Sequence, residues 1–244
     1  MTSASQLENA IIESYRRVSP QQAAWIKRRF GIIPFGELEK TAPLKGSIYD
    51  LGCGRGEFAL LLALASAKRR VVGIDLAKER LTVAKRAGEN VPNLTFSLKD
   101  ISHIKGMKAD AIYLNEVLYL IDFAKQRQIL ANCFSGLNKG GRLVIKLFNL
   151  RQSRLFPTYK YYLASWQTRG VHLGYRFLET AFILCKWASA QKKLEGILGK
   201  RKRGPFFWTE KELTAYLEKL GFRVKTKNLK PESSLPHPVY ICQK

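Results

Sequence analysis

The sequence predicts an α/β fold, a doubly wound and mostly parallel sheet with helices on both faces. Three observations carry this reading. After Pro43, short β-branched apolar runs alternate with Ala/Leu-rich helical stretches, which is the rhythm of βαβ units. Glycines at 52, 54 and 56 close the first apolar run. Acids or an amide close the next three, at Asp75, Asp100 and Asn115. In open sheets of this kind, ligands bind outside the carboxyl ends of the strands.

Taken in order, residues 1–45 form an N-terminal helical cover. Ser19 is an N-cap and Pro20 sits at the first helical position, and the helix is expected to run past Trp25 to Phe30 and stop at Gly31. Residues 46–150 form the core. Strands are expected at 47–51, 70–75, 94–98, 110–114 and 142–147, and helices at 58–67, 78–88 and 123–137, with Gly140-Gly141 as a turn. Residues 151–204 break the rhythm. They are aromatic and basic, and read as a helical lid inserted before the closing elements. Residues 205–244 resume the core. Thr209-Glu210-Lys211-Glu212 has the spacing of a capping box, a helix runs to Leu220, and two strands near 223–226 and 239–242 close the sheet as an antiparallel hairpin.

Composition narrows the partners. Hydrophobic residues make up 46% and charged residues 25% of the 244 residues, which is ordinary for a globular chain. No charge-free run is long enough to cross a bilayer. The first residues lack the basic-then-apolar pattern of a signal peptide, so the chain is expected in the cytoplasm. The four cysteines, at 53, 133, 185 and 242, include no Cys-x-x-Cys pair, which argues against a metal site or a disulfide framework. Forty-two Lys and Arg against 19 acids give a net charge of +23, a balance that favours polyanions or anionic surfaces. Residues 151–204 alone hold 12 Lys/Arg and two acids, or about +10.

The strongest chemical signal is Asp50-Leu51-Gly52-Cys53-Gly54-Arg55-Gly56. Glycines there let the backbone turn sharply and come close to a ligand, and the next helix offers free amides to an anion. Glu57 follows at once, a poor neighbour for a pyrophosphate, so the pattern disfavours a dinucleotide. Asp75, with Leu76 after it, stands where a carboxylate can accept from both ribose hydroxyls. Asp100 can take an exocyclic amine, with Ile101 packing on a ring. Asn115 and Glu116 follow the fourth strand.

This constellation closely resembles the class I S-adenosylmethionine (SAM)-dependent methyltransferases, tightly over residues 46–149 and loosely over 205–244. The resemblance implies a Rossmann-like seven-stranded sheet with an antiparallel last strand, and SAM as cofactor. It implies that Asp50, Gly52, Cys53, Gly54 and Gly56 hold the methionyl part. Asp75 and Leu76 would hold the ribose, and Asp100 and Ile101 the adenine, with Asn115 beside them. Ser97-Leu98-Lys99 before Asp100 departs from the glycine-containing approach usual in the family.

Methyl transfer from a sulfonium needs alignment above all, and a general base only where the acceptor holds its proton tightly. The candidates are Glu116, Tyr119 and His237, with His172 in the insertion. The Asn-Pro-Pro-aromatic tetrapeptide of amide-nitrogen methylases is replaced by Asn115-Glu116-Val117-Leu118. Residues 172–191 read as a wide apolar face with a narrow charged stripe. The leading expectation is therefore a small, hydrophobic, lipid- or polyketide-like acceptor, with basic flanks able to rest on the inner, anionic membrane face. The alternatives are an RNA methyltransferase that grips phosphates and stacks bases with residues 151–204, and a non-catalytic SAM-binding module.

Overall fold

The computed structural model describes residues 4–147, 206, 208–229 and 237–244. The insertion 151–204, with His172, lies outside the described residues. Helices α1 (Ala4–Val18), α2 (Pro20–Ile32) and α3 (Phe35–Glu39) precede β1 (Gly46–Leu51), α4 (Glu57–Ala65), β2 (Arg69–Asp75), α5 (Lys78–Ala87), β3 (Leu94–Leu98) and β4 (Ala109–Asn115). Then come α6 (Phe123–Gly136), β5 (Leu137–Lys146), α7 (Glu210–Lys219), β6 (Arg223–Asn228) and β7 (Pro238–Gln243). The seven strands lie in the order β3-β2-β1-β4-β5-β7-β6. β1 to β5 pair in parallel, and β7 inserts antiparallel between β5 and β6. The expected sheet, with its antiparallel last strand, is present.

Local chemistry explains the element ends. Ser19 Oγ accepts the Gln22 amide, and Pro20 opens α2 where its missing N–H costs nothing. The Thr209–Glu212 capping box is reciprocal: Thr209 Oγ1 accepts the Glu212 amide, and the Glu212 carboxylate accepts the Thr209 amide. Two expectations need correction. α2 does not stop at Gly31 but continues to Ile32, because Ile33 caps it by donating its own amide to the Arg29 carbonyl at 2.7 Å. Gly140 does lie at a turn-like φ of +75°, but within β5, which begins at Leu137 rather than Arg142; pairing with β4 is irregular between Ala109 and Ala111 and runs on regularly from Arg142.

The sheet separates two apolar layers. On one face α1, α2, α3 and α4 pack Ile11, Tyr15, Ile26, Phe35, Leu38 and Phe58 against Ile48, Val71 and Val144. On the other, α6 and α7 pack Ile129, Leu130, Leu213 and Leu217 against Ile112, Leu143 and Cys242. Along the parallel part the strand exits are level: Leu51 pairs with Ile74, Asp75 with Leu98 and Asn115 with Lys146. The polar residues after these strands therefore meet on one rim.

Candidate cofactor and active site

The glycine loop is built by its second neighbour. The Gly52 and Cys53 amides both donate to the Ile74 carbonyl, at 2.7 and 3.0 Å. The Gly54 amide donates to Asp75 Oδ2 at 2.7 Å, and the Ala77 amide to Asp75 Oδ1 at 2.8 Å. Asp75 thus ties the exits of β1 and β2 together. Each carboxylate oxygen keeps a lone pair for a further donor, so this bracing leaves room for the ribose role. Gly52 and Gly54 both lie at left-handed φ, +76° and +59°, where a Cβ is strained. A Cβ on Gly52 would also stand 2.4 Å from Val117 Cγ2, whereas at Gly54 nothing lies within 4 Å. The first glycine permits close packing, and the second presents bare backbone to open space.

Around this loop stands a set of buried acids. Asp50, at the end of β1, is 2% exposed. Burial, then the nearby Glu57 and Asp75 carboxylates, push its carboxyl up to about 8, while Arg29 and the Ala59 amide work against them. The Cys53 thiol is buried and pushed up chiefly by burial, then by Asp50, so it serves as packing and not as a nucleophile. Leu76 and Leu98, at the exits of β2 and β3, are 67% and 50% exposed. They offer two apolar surfaces beside Asp75. Asp100 caps a 3-10 turn at Ile101–His103, accepting from the Ser102 amide at 2.8 Å and the Ser102 hydroxyl at 2.7 Å. Those two bonds hold its carboxyl below the usual carboxylate range. Ile101 is buried in the layer that holds Leu51 and Ile74.

The exits of β4 and β5 carry a different arrangement. Glu116, just after Asn115, is the only non-glycine residue at positive φ among the described residues, at 56°. Such backbone persists where its surroundings hold it. Its carboxylate pairs with the fully buried Lys146 ammonium and faces Arg29 Nη1 at 3.9 Å. Burial acts to raise the Glu116 carboxyl, but Lys146, Arg29, the Lys146 hydrogen bond and His237 together bring it below its ordinary value. Lys146 is itself lowered, first by burial, with Glu116 opposing. Tyr119 lies beside Glu116, and burial raises its phenol. His237 is buried, and its amide donates to Asn228 Oδ1 at 3.0 Å. The structure thus brings the candidates Glu116, Tyr119 and His237 together. It adds three residues that the sequence reading missed as site members: Arg29, Glu57 and Lys146. One signal existed for Lys146, a lone cation in the apolar run Leu143-Val144-Ile145-Lys146-Leu147.

The N-terminal cover is anchored on the loop. Tyr15 Oη donates to the Arg55 carbonyl at 2.6 Å, and the Arg55 guanidinium lies 4.9 Å over the Trp25 ring. Arg29 forms an ion pair with Glu57 in the first turn of α4. On the acceptor side, Gln126 Nε2 donates to the Ile121 and Phe206 carbonyls at 2.6 and 3.1 Å, and the Phe206 amide donates to the Tyr119 carbonyl at 2.9 Å. The two described residues nearest the insertion, Leu147 and Phe206, therefore flank the same rim.

These residues fit a SAM molecule. Asp50, Glu57, Asp75 and Glu116 gather four carboxyls at this rim, of which Glu57 is paired with Arg29 and Glu116 with Lys146. The remaining two, Asp50 and Asp75, suit a ligand carrying a sulfonium and an ammonium group. Glu57 Oε2 and Asn115 Oδ1 are buried with no hydrogen-bond partner among the described residues, so acceptor capacity remains at the rim. Bare backbone at Gly54 faces open space, and Leu76 and Leu98 are apolar surfaces exposed beside it.

Comparison with known proteins points the same way. A family profile described as a methyltransferase domain matches residues 45–205. The carboxy-S-adenosyl-L-methionine synthase of Campylobacter curvus is 30% identical over 108 residues, 44% of this chain and 46% of that protein. The trans-aconitate 2-methyltransferase of Deinococcus radiodurans is 32% identical over 117 residues, 47% of this chain and 43% of that protein. The chain thus spans about half the length of these relatives. In fold it is similar to the Burkholderia thailandensis 1,6-didemethyltoxoflavin-N1-methyltransferase, solved with 1,6-didemethyltoxoflavin and S-adenosylhomocysteine, at TM-score 0.57 and 18% identity over 98% of this chain and 87% of that one. With the family match covering well over half its length, the chain belongs to the methyltransferase domain family, the class I SAM-dependent methyltransferases of Rossmann-like fold.

Proposed function

We propose that this chain transfers the methyl group of SAM to a small acceptor with substantial apolar surface. The observation that carries the reading is the group of buried acids, Asp50, Glu57 and Asp75, beside the open Gly54 backbone at the exits of β1 and β2, with Glu116 level with them at the exit of β4. Asp75 braces the loop and accepts from the ribose, Leu76 and Leu98 flank the base, and Asp100 receives the adenine amine. Asn115 contributes its free carbonyl oxygen.

Held by the glycine loop, Asp75 and Asp100, SAM would supply an electrophilic methyl group on its sulfonium, with S-adenosylhomocysteine as the product left behind. The protein's share is alignment and exclusion of water, worth roughly 7–11 kcal/mol in well-oriented reactions. Neither Glu116, held ionised by two cations, nor Tyr119, with its raised phenol, is a base poised near neutrality. That favours an acceptor nucleophilic in its own right, or one that loses its proton after the methyl arrives.

The apolar character of the acceptor is supported by Leu120, 63% exposed beside Tyr119, and by the edge contacts of Phe123 with Phe206 and Trp208 at 5.7 and 5.3 Å. We propose that residues 151–204 select the acceptor, since both flanks of that segment stand at the acceptor rim, and that their positive charge permits peripheral contact with an anionic membrane. Among the described residues no helix is long and apolar enough to cross a membrane. A second reading, methylation of RNA, is favoured by the +23 net charge. Labelled SAM offered with separate RNA, lipid and small-molecule fractions tests both. Label in the small-molecule or lipid fraction is expected, label in RNA alone overturns the leading reading, and SAM binding without turnover on any fraction makes the chain a binding module. Replacing 151–204 by a short linker should spare SAM binding and abolish turnover; retained turnover refutes the selection role.

A further inference from the structure

One side chain from outside the Rossmann-like core reaches both the start of α4 and the exit of β4. Arg29 leaves the last turn of α2, with Nε paired to Glu57 at the start of α4 and Nη1 3.9 Å from Glu116 Oε2 at the exit of β4. Its guanidinium lies 5.7 Å over the Phe35 ring, and Phe35 in turn contacts Phe30 and Phe58 at 5.0 and 5.7 Å. An arginine stacked on a fixed aromatic base is oriented before any ligand arrives. Lys146 extends the line beyond Glu116, so acids and cations alternate from the cofactor side to the acceptor side: Glu57, Arg29, Glu116, Lys146.

We propose that Arg29 is a positioning residue for the cofactor, through which the N-terminal cover sets the charge balance of the acid ring that receives the sulfonium nucleoside. The inference rests on the SAM-binding reading above. Its consequence falls on Asp50. The groups facing that carboxyl are Tyr15 from α1, Arg29 from α2, Glu57 and the Ala59 amide from α4, Asp75 from β2 and Cys53 of its own loop. Among the leading charged groups acting on it, Arg29 favours ionisation, while Glu57 and Asp75 oppose it. A cationic ligand binds best to the ionised carboxylate. Affinity for SAM therefore climbs with pH until Asp50 is ionised, near the value of about 8 set by burial and its neighbours, and levels off above it. Arg29 determines where that level begins.

Calorimetric titration of SAM and of S-adenosylhomocysteine from pH 6 to 9.5 tests this on the full chain. The wild type should gain affinity for SAM up to about pH 8, at most tenfold per pH unit, with a shallower slope for the uncharged thioether. Arg29→Met should displace the curve to higher pH and weaken SAM binding near neutrality by roughly tenfold for each unit of displacement. Glu57→Gln removes a like charge, so its curve should move the opposite way, to lower pH. Arg29→Lys keeps the charge and should restore the wild-type profile. If Arg29→Met does not fold, the Glu57→Gln and Arg29→Lys profiles still decide the matter. Profiles of Arg29→Met or Glu57→Gln that superimpose on the wild type, or that move in the same direction as each other, overturn the inference. A wild type that binds SAM at no pH overturns the cofactor reading itself, and the inference with it.

Discussion

The two ends of the parallel sheet treat charge in opposite ways. At the amino end Arg69, Asp110 and Arg142 are each answered by the protein. Arg69, 3% exposed, gives Nε to the Pro43 carbonyl at 2.8 Å and Nη1 to Glu39 at 2.6 Å and the Leu62 carbonyl at 3.0 Å. Asp110 accepts from the Ser47 amide and from Asn138, both at 2.8 Å, and Arg142 donates to the Thr41 carbonyl at 3.0 Å. At the carboxyl end Asp50 is crowded by other acids, Glu116 sits in a left-handed backbone, and, among the described residues, Glu57 and Asn115 keep buried acceptors without partners. The amino end is built for stability. The carboxyl end crowds acids together at a cost in stability that a cationic ligand would relieve, the usual trade between stability and function.

Substitutions at the two ends should therefore separate stability from binding. The largest effect is expected at the amino end: Arg69→Met leaves Glu39 without its cation and should cost roughly 3–5 kcal/mol of stability. Denaturant unfolding reads that loss, and SAM affinity of the folded fraction should be unchanged; a parallel loss of affinity would break the division. Asp75→Ala should weaken SAM binding about 100-fold, roughly 2.7 kcal/mol, since the brace on Gly54 and the ribose acceptor go together. Calorimetry checks it, and unchanged affinity would remove the ribose assignment.

Asp50→Asn sharpens the comparison further. In the folded chain the Asp50 carboxyl stands at about 8, against roughly 4 when unfolded. Between those values the folded state binds the extra proton, so this group makes stability fall as pH rises from about 4 to about 8. The asparagine variant lacks that slope. Without ligand it should melt higher than the wild type at pH 9, yet bind SAM about tenfold more weakly, the worth of roughly one lost charge-assisted contact. A lower melting temperature at pH 9 would contradict the excess-charge account. Smallest of all, Lys225→Gln on the exposed edge strand β6 should stay within about 0.5 kcal/mol of the wild type in stability and leave SAM affinity alone.

Much of this frame was legible because it rests on local rules. Ser19-Pro20, the Thr209–Glu212 box and the span Leu94–Leu98 are expected and found with the same residues, since caps and short apolar runs depend on neighbours in the chain. The acids at 50, 75, 100 and 116 stand at the exits of their strands for the same reason. The start of β5 at Leu137, ahead of Gly140-Gly141, was not legible because only the register with β4 draws those residues into the strand. Glu57 was legible as an unusual neighbour for a phosphate, but its partner Arg29 lies 28 positions away and meets it only once α2 folds over the loop.

The order of glycines, acids and apolar runs in this chain was enough to specify a parallel sheet with glycines and acids at its exits, because period and punctuation act over a few residues. The charges those exits carry were decided elsewhere. Burial, the left-handed turn at Glu116 and the cations brought in by α2 and β5 set them. An acid's affinity for its proton depends on what surrounds it in three dimensions, and only the packed fold assembles those surroundings.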